Sequence, residues 1–136
     1  MAAQHAQDVQ RLSEQLGYPL AIEQIEDNIR KVISAKDNSA LVAIADEKIV
    51  GWIHGFKAML LETNPFIEIG GLVVDENHRG KGVGRKLIER IKEWSLETGI
   101  HDIRVRSNVK RKEAHQFYRN NGFTETKEQK VFRLKL

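Results

Sequence analysis

Cysteine is absent from this chain of 136 residues, and the only prolines are Pro19 and Pro65. Without cysteine the chain has no disulfide bond, no cysteine-ligated metal and no thiol nucleophile, which is compatible with the cytoplasm. No apolar run approaches the roughly 20 residues that span a bilayer, and the polar N-terminus lacks the apolar centre of a signal peptide. We therefore expect a soluble cytoplasmic protein that has no membrane partner.

The chain also lacks a strong excess of either charge. Its 22 basic and 19 acidic residues give a net charge of +3, which is too balanced to indicate a nucleic-acid-binding protein. Basic residues are concentrated at residues 78–85, HRGKGVGR, and at residues 103–112, IRVRSNVKRK. The second cluster lacks interleaved exposed aromatic residues for base stacking. Two separate clusters suit a small polyanion at least as well as a duplex, and we expect no nucleic-acid partner.

The pattern of apolar residues, which make up 40% of the chain, predicts one domain over residues 1–136. Helical spacing covers most of the first 36 residues, and two strands are predicted over residues 40–56 around a turn. The remaining elements are predicted in this order: a strand over 66–75, a helix over 83–99, a strand over 101–108, a helix over 111–122 and a closing strand over 130–136. Gly70 and Gly71 indicate a bulge or splay. The predicted fold class is mixed α/β, not doubly wound.

The glycine-rich run between the third strand and the third helix predicts an anion site. The first turn of a helix has about four N–H groups without intrahelical partners, and the helix dipole favours negative charge there. Glycine permits positive φ and lets a large anion approach the main chain. Arg79, Lys81 and Arg85 add positive charge. Three glycines at a helix start cost stability, so an incidental turn is the less favoured interpretation.

Two familiar phosphate-binding loops do not fit this spacing. A dinucleotide fingerprint needs a third glycine at the sixth place, where Arg85 stands when counted from Gly80. A Walker A loop needs Ser or Thr after Gly-Lys, and here Gly82 follows Lys81. The spacing therefore argues against a dinucleotide and against a magnesium-bound triphosphate.

The run Arg79-x-x-Gly82-x-Gly84 matches an Arg/Gln-x-x-Gly-x-Gly/Ala signature, and the chain resembles the GNAT superfamily of N-acetyltransferases. Residues 70–95 resemble that family's cofactor-binding segment, and residues 104–123 resemble its later strand and helix ending in Phe-Tyr and Gly-Phe. The resemblance covers residues 5–136. It implies a central, mostly antiparallel twisted sheet that is splayed at the cofactor site and flanked by about four helices. The family usually begins with a strand, which is predicted here to be short or missing.

The resemblance implies acetyl-CoA as the co-substrate. Loop amides would cradle the pyrophosphate of coenzyme A, and main-chain groups of the third strand would pair with the pantetheine arm. The cofactor-binding residues implied in this way are Leu72, Val73, Val74, Arg79, Gly80, Lys81, Gly82, Val83, Gly84, Arg85 and Asn108. Asn108 is expected at the end of its strand, where its amide would bind pantetheine or else cap the following turn. Main chain near Leu72 or Val73 is the expected oxyanion donor.

Acetyl transfer to an amine needs a neutral amine, a stabilised oxyanion and a protonated leaving thiolate. Tyr118 occupies the family's Phe-Tyr position and is the predicted acid, with core packing as the alternative. Glu68 and His54 are the candidate bases, because side chains alternate on strands and His titrates near neutrality. The alternatives are an acceptor-binding carboxylate for Glu68 and a hydrogen-bonded strand histidine for His54. No metal-ligand spacing is present, so we expect no metal.

The resemblance implies direct transfer of acetyl to a primary amine in a ternary complex, with an unidentified acceptor. The first two helices and the loop over residues 57–66 are the expected acceptor site. Its apolar wall is predicted from Tyr18, Met59, Leu60, Leu61 and Phe66. Residues 59–61 could equally form a homodimer contact. The alternative function is a non-catalytic coenzyme A sensor or a protein-interaction module on the same fold.

Overall fold

Three long strands of alternating residues form most of the sheet, and a fourth, short strand completes it. The computed structural model describes all 136 residues. The strands are β1 (Asn38–Ala45), β2 (Lys48–Ala58), β3 (Phe66–Val74) and β4 (Ile103–Val105). They are ordered β1-β2-β3-β4. The first two pairings are antiparallel and β3 pairs with β4 in parallel, so the predicted mostly antiparallel sheet is confirmed.

Four α-helices accompany the sheet, as predicted. They are α1 (Ala6–Glu14), α2 (Ile22–Ser34), α3 (Val83–Glu97) and α4 (Lys112–Asn120), with short 3-10 turns at Ala3–His5 and Glu76–His78. Residues 1–5 form no strand before α1. None of the helices has both the length and the apolar character needed to cross a bilayer.

The chain divides into two compact units, Met1–Val105 and Arg106–Leu136. The first unit holds the sheet with α1, α2 and α3, and the second holds α4 and the C-terminal residues.

The two faces of β2 bury different helices of the first unit. Ile53, Ile67 and Ile91 are fully buried, and a Cβ on Gly55 would lie 3.1 Å from Ile91 Cδ1 of α3. Since side chains alternate along a strand, Trp52 and His54 point to the opposite face. There Trp52 packs against two clusters of buried residues from α1, α2 and the sheet: Ala6, Val9, Ile25 and Ile29, and Leu12, Ile49 and Val73.

A bulge interrupts β3 at the predicted glycine pair. His54 is opposite Gly71 and Gly55 is opposite Ile69, so Gly70 is the extra residue. Cβ atoms built on both glycines would point to the face of His54. The one on Gly70 would lie 3.3 Å from His54 Nδ1, and the one on Gly71 would lie 2.6 Å from the Trp52 ring. Glycine is required at Gly71 because that space is already filled.

Two predictions about strands are wrong. Residues 130–136 form no strand, because none of the four strands of the sheet pairs with them. Apolar and polar residues alternate in this segment, which would give a strand one apolar face. A strand also needs a neighbouring strand for its main-chain hydrogen bonds. The strand predicted over residues 101–108 spans only Ile103–Val105, because its pairing with β3 ends where β3 bulges. Asn108 therefore lies outside the strand that it was predicted to end.

Asp75 ties the end of β3 to α1. Its carboxylate accepts hydrogen bonds from the Asn77 amide at 3.1 Å and from Arg11 Nη1 at 3.1 Å. Arg11 also donates to the carbonyl of Ile49 at 2.9 Å. The hydrogen bond from the Asn77 amide lowers the pKa of Asp75, burial opposes that shift, and Arg11 adds to it. The buried carboxylate is therefore held charged where the chain leaves the sheet.

We expect Asp75→Asn to destabilise the protein by about 1–2 kcal/mol at pH 7, because it weakens a buried, charge-assisted pair. The folded-state pKa lies below the unfolded value, so this stabilisation is present above about pH 4 and is lost as the pH falls further. Urea unfolding of both proteins at pH 7 and pH 3 measures the effect.

The matched control is Asp8→Asn, which removes the exposed partner of Arg11 at 3.4 Å. An exposed pair contributes at most about 1 kcal/mol. Equal losses in the two variants would contradict the role given to Asp75.

Candidate active site

Two glycines in left-handed conformation form the loop between β3 and α3. Gly80 has φ 77° and Gly82 has φ 82°, a region that L side chains rarely adopt. A Cβ on either glycine would meet nothing within 4 Å. These glycines are therefore required by backbone conformation, and the space beside them is open.

The N-terminus of α3 is available to an anion. Its N-cap, Gly82, provides no side-chain cap, and the first turn holds no acidic residue. The first helical bond runs from the Lys86 amide to the Gly82 carbonyl at 3.1 Å, so the amides before Lys86 have no intrahelical partner.

The side chains around these amides are basic. Arg79, Lys81 and Arg85 are exposed, and Arg79 Nε donates to the Val74 carbonyl at 3.3 Å. Arg79 is thus bound to the end of β3, and Lys81 and Arg85 surround the helix start. The loop combines free donors, a favourable dipole and positive charge.

The edge of β3 is free next to this loop. β4 pairs only with Ile67, Glu68 and Ile69, whereas β3 continues to Val74. On its other side β3 remains paired with β2 as far as Val74. The main chain of Leu72, Val73 and Val74 therefore has a β2 partner on one side and no β4 partner on the other. This is the predicted splay, and an extended chain could add to such an edge.

Four polar side chains lie in a row across one face of the sheet, one on each strand. This polar row consists of Asn38, His54, Glu68 and Arg104. Asn38 and Glu68 are both opposite Phe56, and Arg104 is opposite Glu68. The first three are half-buried and Arg104 is exposed. The row lies on the face of Trp52, beside the bulge.

The imidazole of His54 makes one hydrogen bond, through its Nε2. Its Nε2 lies 2.7 Å from Asn38 Oδ1, and its ring lies 5.7 Å from the Phe56 ring. Burial lowers the pKa of His54, so the imidazole is neutral at neutral pH and can accept a proton.

Glu68 lies next to a guanidinium. Arg104 stacks on the Phe66 ring at 3.9 Å from its centroid and donates to Asp102 Oδ2 through Nη2 at 2.8 Å. The bond to Asp102 raises the pKa of Arg104, burial opposes that shift, and the charges of Asp102 and Glu68 add to it. Phe66 is buried and Arg104 covers its ring, so Phe66 does not present a surface to an acceptor as the predicted apolar wall requires.

Tyr118 lies on α4 in the second unit. Its ring makes edge contacts with Phe117 at 5.3 Å and Phe123 at 5.5 Å. Burial raises the pKa of Tyr118 and the nearby charge of Arg111 opposes that shift. The phenol is thus protonated at neutral pH and able to donate.

Asn108, also in the second unit, shapes the turn before α4. Its Oδ1 accepts from the Lys110 amide at 2.9 Å, and its carbonyl lies 2.8 Å from His115 Nε2. These bonds fit the alternative in which Asn108 caps the following turn. The side chain of Asn108 is exposed.

Sequence reasoning missed Asn38 and Arg104. Asn38 lies between the predicted helical segment and the first predicted strand, and Arg104 is only one member of a basic cluster in the sequence. Strand alternation from His54 and Glu68 could have found them, but only with the register of each pairing known. The structure contains no group of three or more His, Cys, Asp or Glu residues that could hold a metal ion.

This chain is similar to known acetyltransferases. Residues 6–123 match the model of the acetyltransferase (GNAT) family. Streptothricin acetyltransferase of Escherichia coli is 33% identical over 99 residues, which are 73% of this chain and 55% of that protein. Aminoglycoside N(6')-acetyltransferase type 1 of Stenotrophomonas maltophilia is 27% identical over 128 residues, 88% of this chain and 80% of that protein.

A solved structure shows the same fold. AAC(6')-Iy in complex with the bisubstrate analog CoA-S-monomethyl-acetylneamine has a TM-score of 0.87 at 18% identity, covering 100% of this chain and 95% of that one. The predicted fold is confirmed by this likeness, and the predicted family by the match over residues 6–123. The chain belongs to the acetyltransferase (GNAT) family.

Proposed function

We propose that the chain is an acetyl-CoA-dependent N-acetyltransferase that transfers acetyl to a primary amine in a ternary complex. The observation that carries this proposal is the open, uncapped start of α3 behind Gly80 and Gly82, adjoining the free edge of β3. The family match crosses from the first unit into the second, which supports one functional domain over residues 1–136.

Coenzyme A would occupy the loop and the free strand edge. Amides from Gly80 to Arg85 would bind the pyrophosphate, since an uncapped helix start and positive charge favour phosphate. The pantetheine arm, which carries amide groups, would pair with the main chain of Leu72, Val73 and Val74 as an added strand does. The complex of AAC(6')-Iy with a coenzyme A analog supports this assignment.

The acetyl step needs an acid and a base. The family resemblance assigns the acid to Tyr118, whose neutral phenol would protonate the departing thiolate, and assigns pantetheine contacts to Asn108. His54 is the proposed base because its imidazole is neutral and borders the bulge. Glu68 would attract the ammonium of the acceptor before it loses its proton. A main-chain amide near Leu72 or Val73 would stabilise the oxyanion.

The acceptor is proposed to be an amine-bearing small molecule. The relatives are named for streptothricin and for aminoglycosides, which makes these compounds the first probes. Tyr18, Met59 and Leu61 are exposed in the segments expected to contact an acceptor. A homodimer and a cytoplasmic location stay predictions, and the exposed Met59, Leu60 and Leu61 support the homodimer.

Cofactor binding tests the loop. Acetyl-CoA at about 100 times its Kd should stabilise the protein by about 2.7 kcal/mol and raise its melting temperature. We expect Gly82→Glu to abolish that shift, because it puts a carboxylate among the amides that receive the phosphates. Thermal unfolding with and without acetyl-CoA measures the difference.

Gly99→Glu is the matched control, because Gly99 follows the other end of α3, has φ 79° and also faces open space. Its shift should equal that of the unmodified protein, whatever its own stability. A full shift in Gly82→Glu would refute the loop assignment.

Turnover tests the reaction and the acid. Release of free thiol from acetyl-CoA with a panel of aminoglycosides, streptothricin and simple diamines should identify an acceptor. We expect Tyr118→Phe to lower kcat by about 10²–10⁴-fold, the usual contribution of a general acid, with little change in the Kd for acetyl-CoA.

Phe132→Leu, which changes an exposed aromatic side chain of the same unit, should leave kcat unchanged. Normal turnover by Tyr118→Phe would remove the acid role. Tight coenzyme A binding without thiol release for any amine would instead support the non-catalytic alternative.

A further inference from the structure

Asn38 and His54 form a cross-strand pair within the polar row. Ala40 is the direct β1 partner of His54, so Asn38 lies diagonally across from it. The 2.7 Å between Asn38 Oδ1 and His54 Nε2 is a short hydrogen bond between half-buried groups. Such a bond determines which ring nitrogen carries the proton.

The two nitrogens of His54 have different surroundings. Nε2 faces the carboxamide on β1, whereas Nδ1 lies 3.3 Å from the point that a Cβ on Gly70 would occupy. Gly70 is the bulged residue, is exposed and has no side chain. Nδ1 therefore faces the open side of the bulge, next to the place where β3 and β4 part.

A carboxamide oxygen can only accept a hydrogen bond. Opposite Oδ1, a neutral imidazole must carry its proton on Nε2, which leaves the lone pair on Nδ1. We propose that Asn38 is a positioning residue that holds His54 as the Nε2–H tautomer, so that Nδ1 is the base for the acceptor amine at the bulge. This inference rests on the proposed function, because it assumes that an amine is acetylated there.

The proton transfer balances. An N–H proton of the acceptor ammonium moves to Nδ1, and its electron pair stays on the amine nitrogen. That lone pair attacks the thioester carbonyl, the C–S bond then breaks, and the thiolate leaves as the thiol after Tyr118, the proposed acid, relays to it the proton that the nitrogen loses. His54 becomes an imidazolium whose Nε2–H is still bonded to Asn38. Because Asn38 is neutral, it does not hold the imidazolium as a carboxylate would, and His54 can release the proton to water.

The groups around His54 are compatible with this role. The N-terminal ammonium of Met1 donates to the carbonyl of Ala40, a residue of β1, at 3.2 Å. On β3 Glu68 is opposite Phe56, and Arg104 on β4 lies beyond Glu68. The side chains of α1 and α2 that pack at Trp52 are apolar. Burial lowers the pKa of His54, and Asn38 on β1 is the hydrogen-bond partner of its Nε2.

The first experiment measures the tautomer without any substrate. Long-range ¹H–¹⁵N spectra of His54 at pH 8 should show a protonated Nε2 and an unprotonated Nδ1, assigned with His54→Gln. Titration should give a midpoint below 6.5 in the unmodified protein and, in Asn38→Asp, one higher by about one unit, because a carboxylate favours imidazolium. A protonated Nδ1 in the unmodified protein would overturn the proposal.

The second experiment measures turnover against pH. The acid limb of kcat/KM should move up by about one pH unit in Asn38→Asp, and Asn38→Ala should lower kcat about tenfold with the Kd for acetyl-CoA unchanged. Asn120→Asp, an exposed change on α4, should alter neither quantity. Asn38→Ser keeps a small polar group and should recover part of kcat if Asn38→Ala folds poorly.

The two experiments separate this inference from the proposed function. An acid limb that stays in place while the titration of His54 moves would show that His54 is not the base, and it would overturn the inference while acetyl transfer stands. If no amine releases thiol, the proposed function fails, and the spectra still decide whether Asn38 selects the tautomer.

Discussion

The early end of the pairing between β3 and β4 is the constraint on which the site depends. Main-chain donors and acceptors must be satisfied by protein, water or a ligand, and β3 runs from Gly70 to Val74 without a β4 partner. The chain then turns at Asp75 and enters α3 with no side-chain cap. One continuous stretch therefore presents a strand edge followed by a helix start, which suits a ligand with an amide-bearing arm joined to a diphosphate.

The bulge at Gly70 gives the two faces of the sheet different uses. Gly55 meets Ile91 of α3 on one face, which is closed by packing. On the other face the helices α1 and α2 pack at Trp52, and the polar row lies beside the bulge. Two consecutive positions point to this face at a bulge, and both are glycine. Side chains there would fill the space between His54 and the parting strands.

Local rules predicted much of this architecture. Apolar spacing predicted all four helices, and the glycine run predicted a start of α3 that does need positive φ at Gly80 and Gly82. The same rules failed for residues 130–136, whose alternation is real but which pair with no strand of the sheet. They failed also for Phe66, which was predicted in the apolar wall of the acceptor site and is instead buried under Arg104. Propensity describes a segment, whereas burial and pairing depend on what comes to lie beside it.

The sequence by itself determined the glycine loop, its positive charge and the family, because backbone conformation and short-range spacing are written in consecutive residues. Only the tertiary structure decided that His54 bonds Asn38 and that Arg104 lies opposite Glu68. The residues of the first pair are 16 positions apart in the sequence. The residues of the second pair lie on β3 and β4, which α3 separates along the chain. Such neighbours are set by strand register, and a shift of one residue would turn every side chain to the other face.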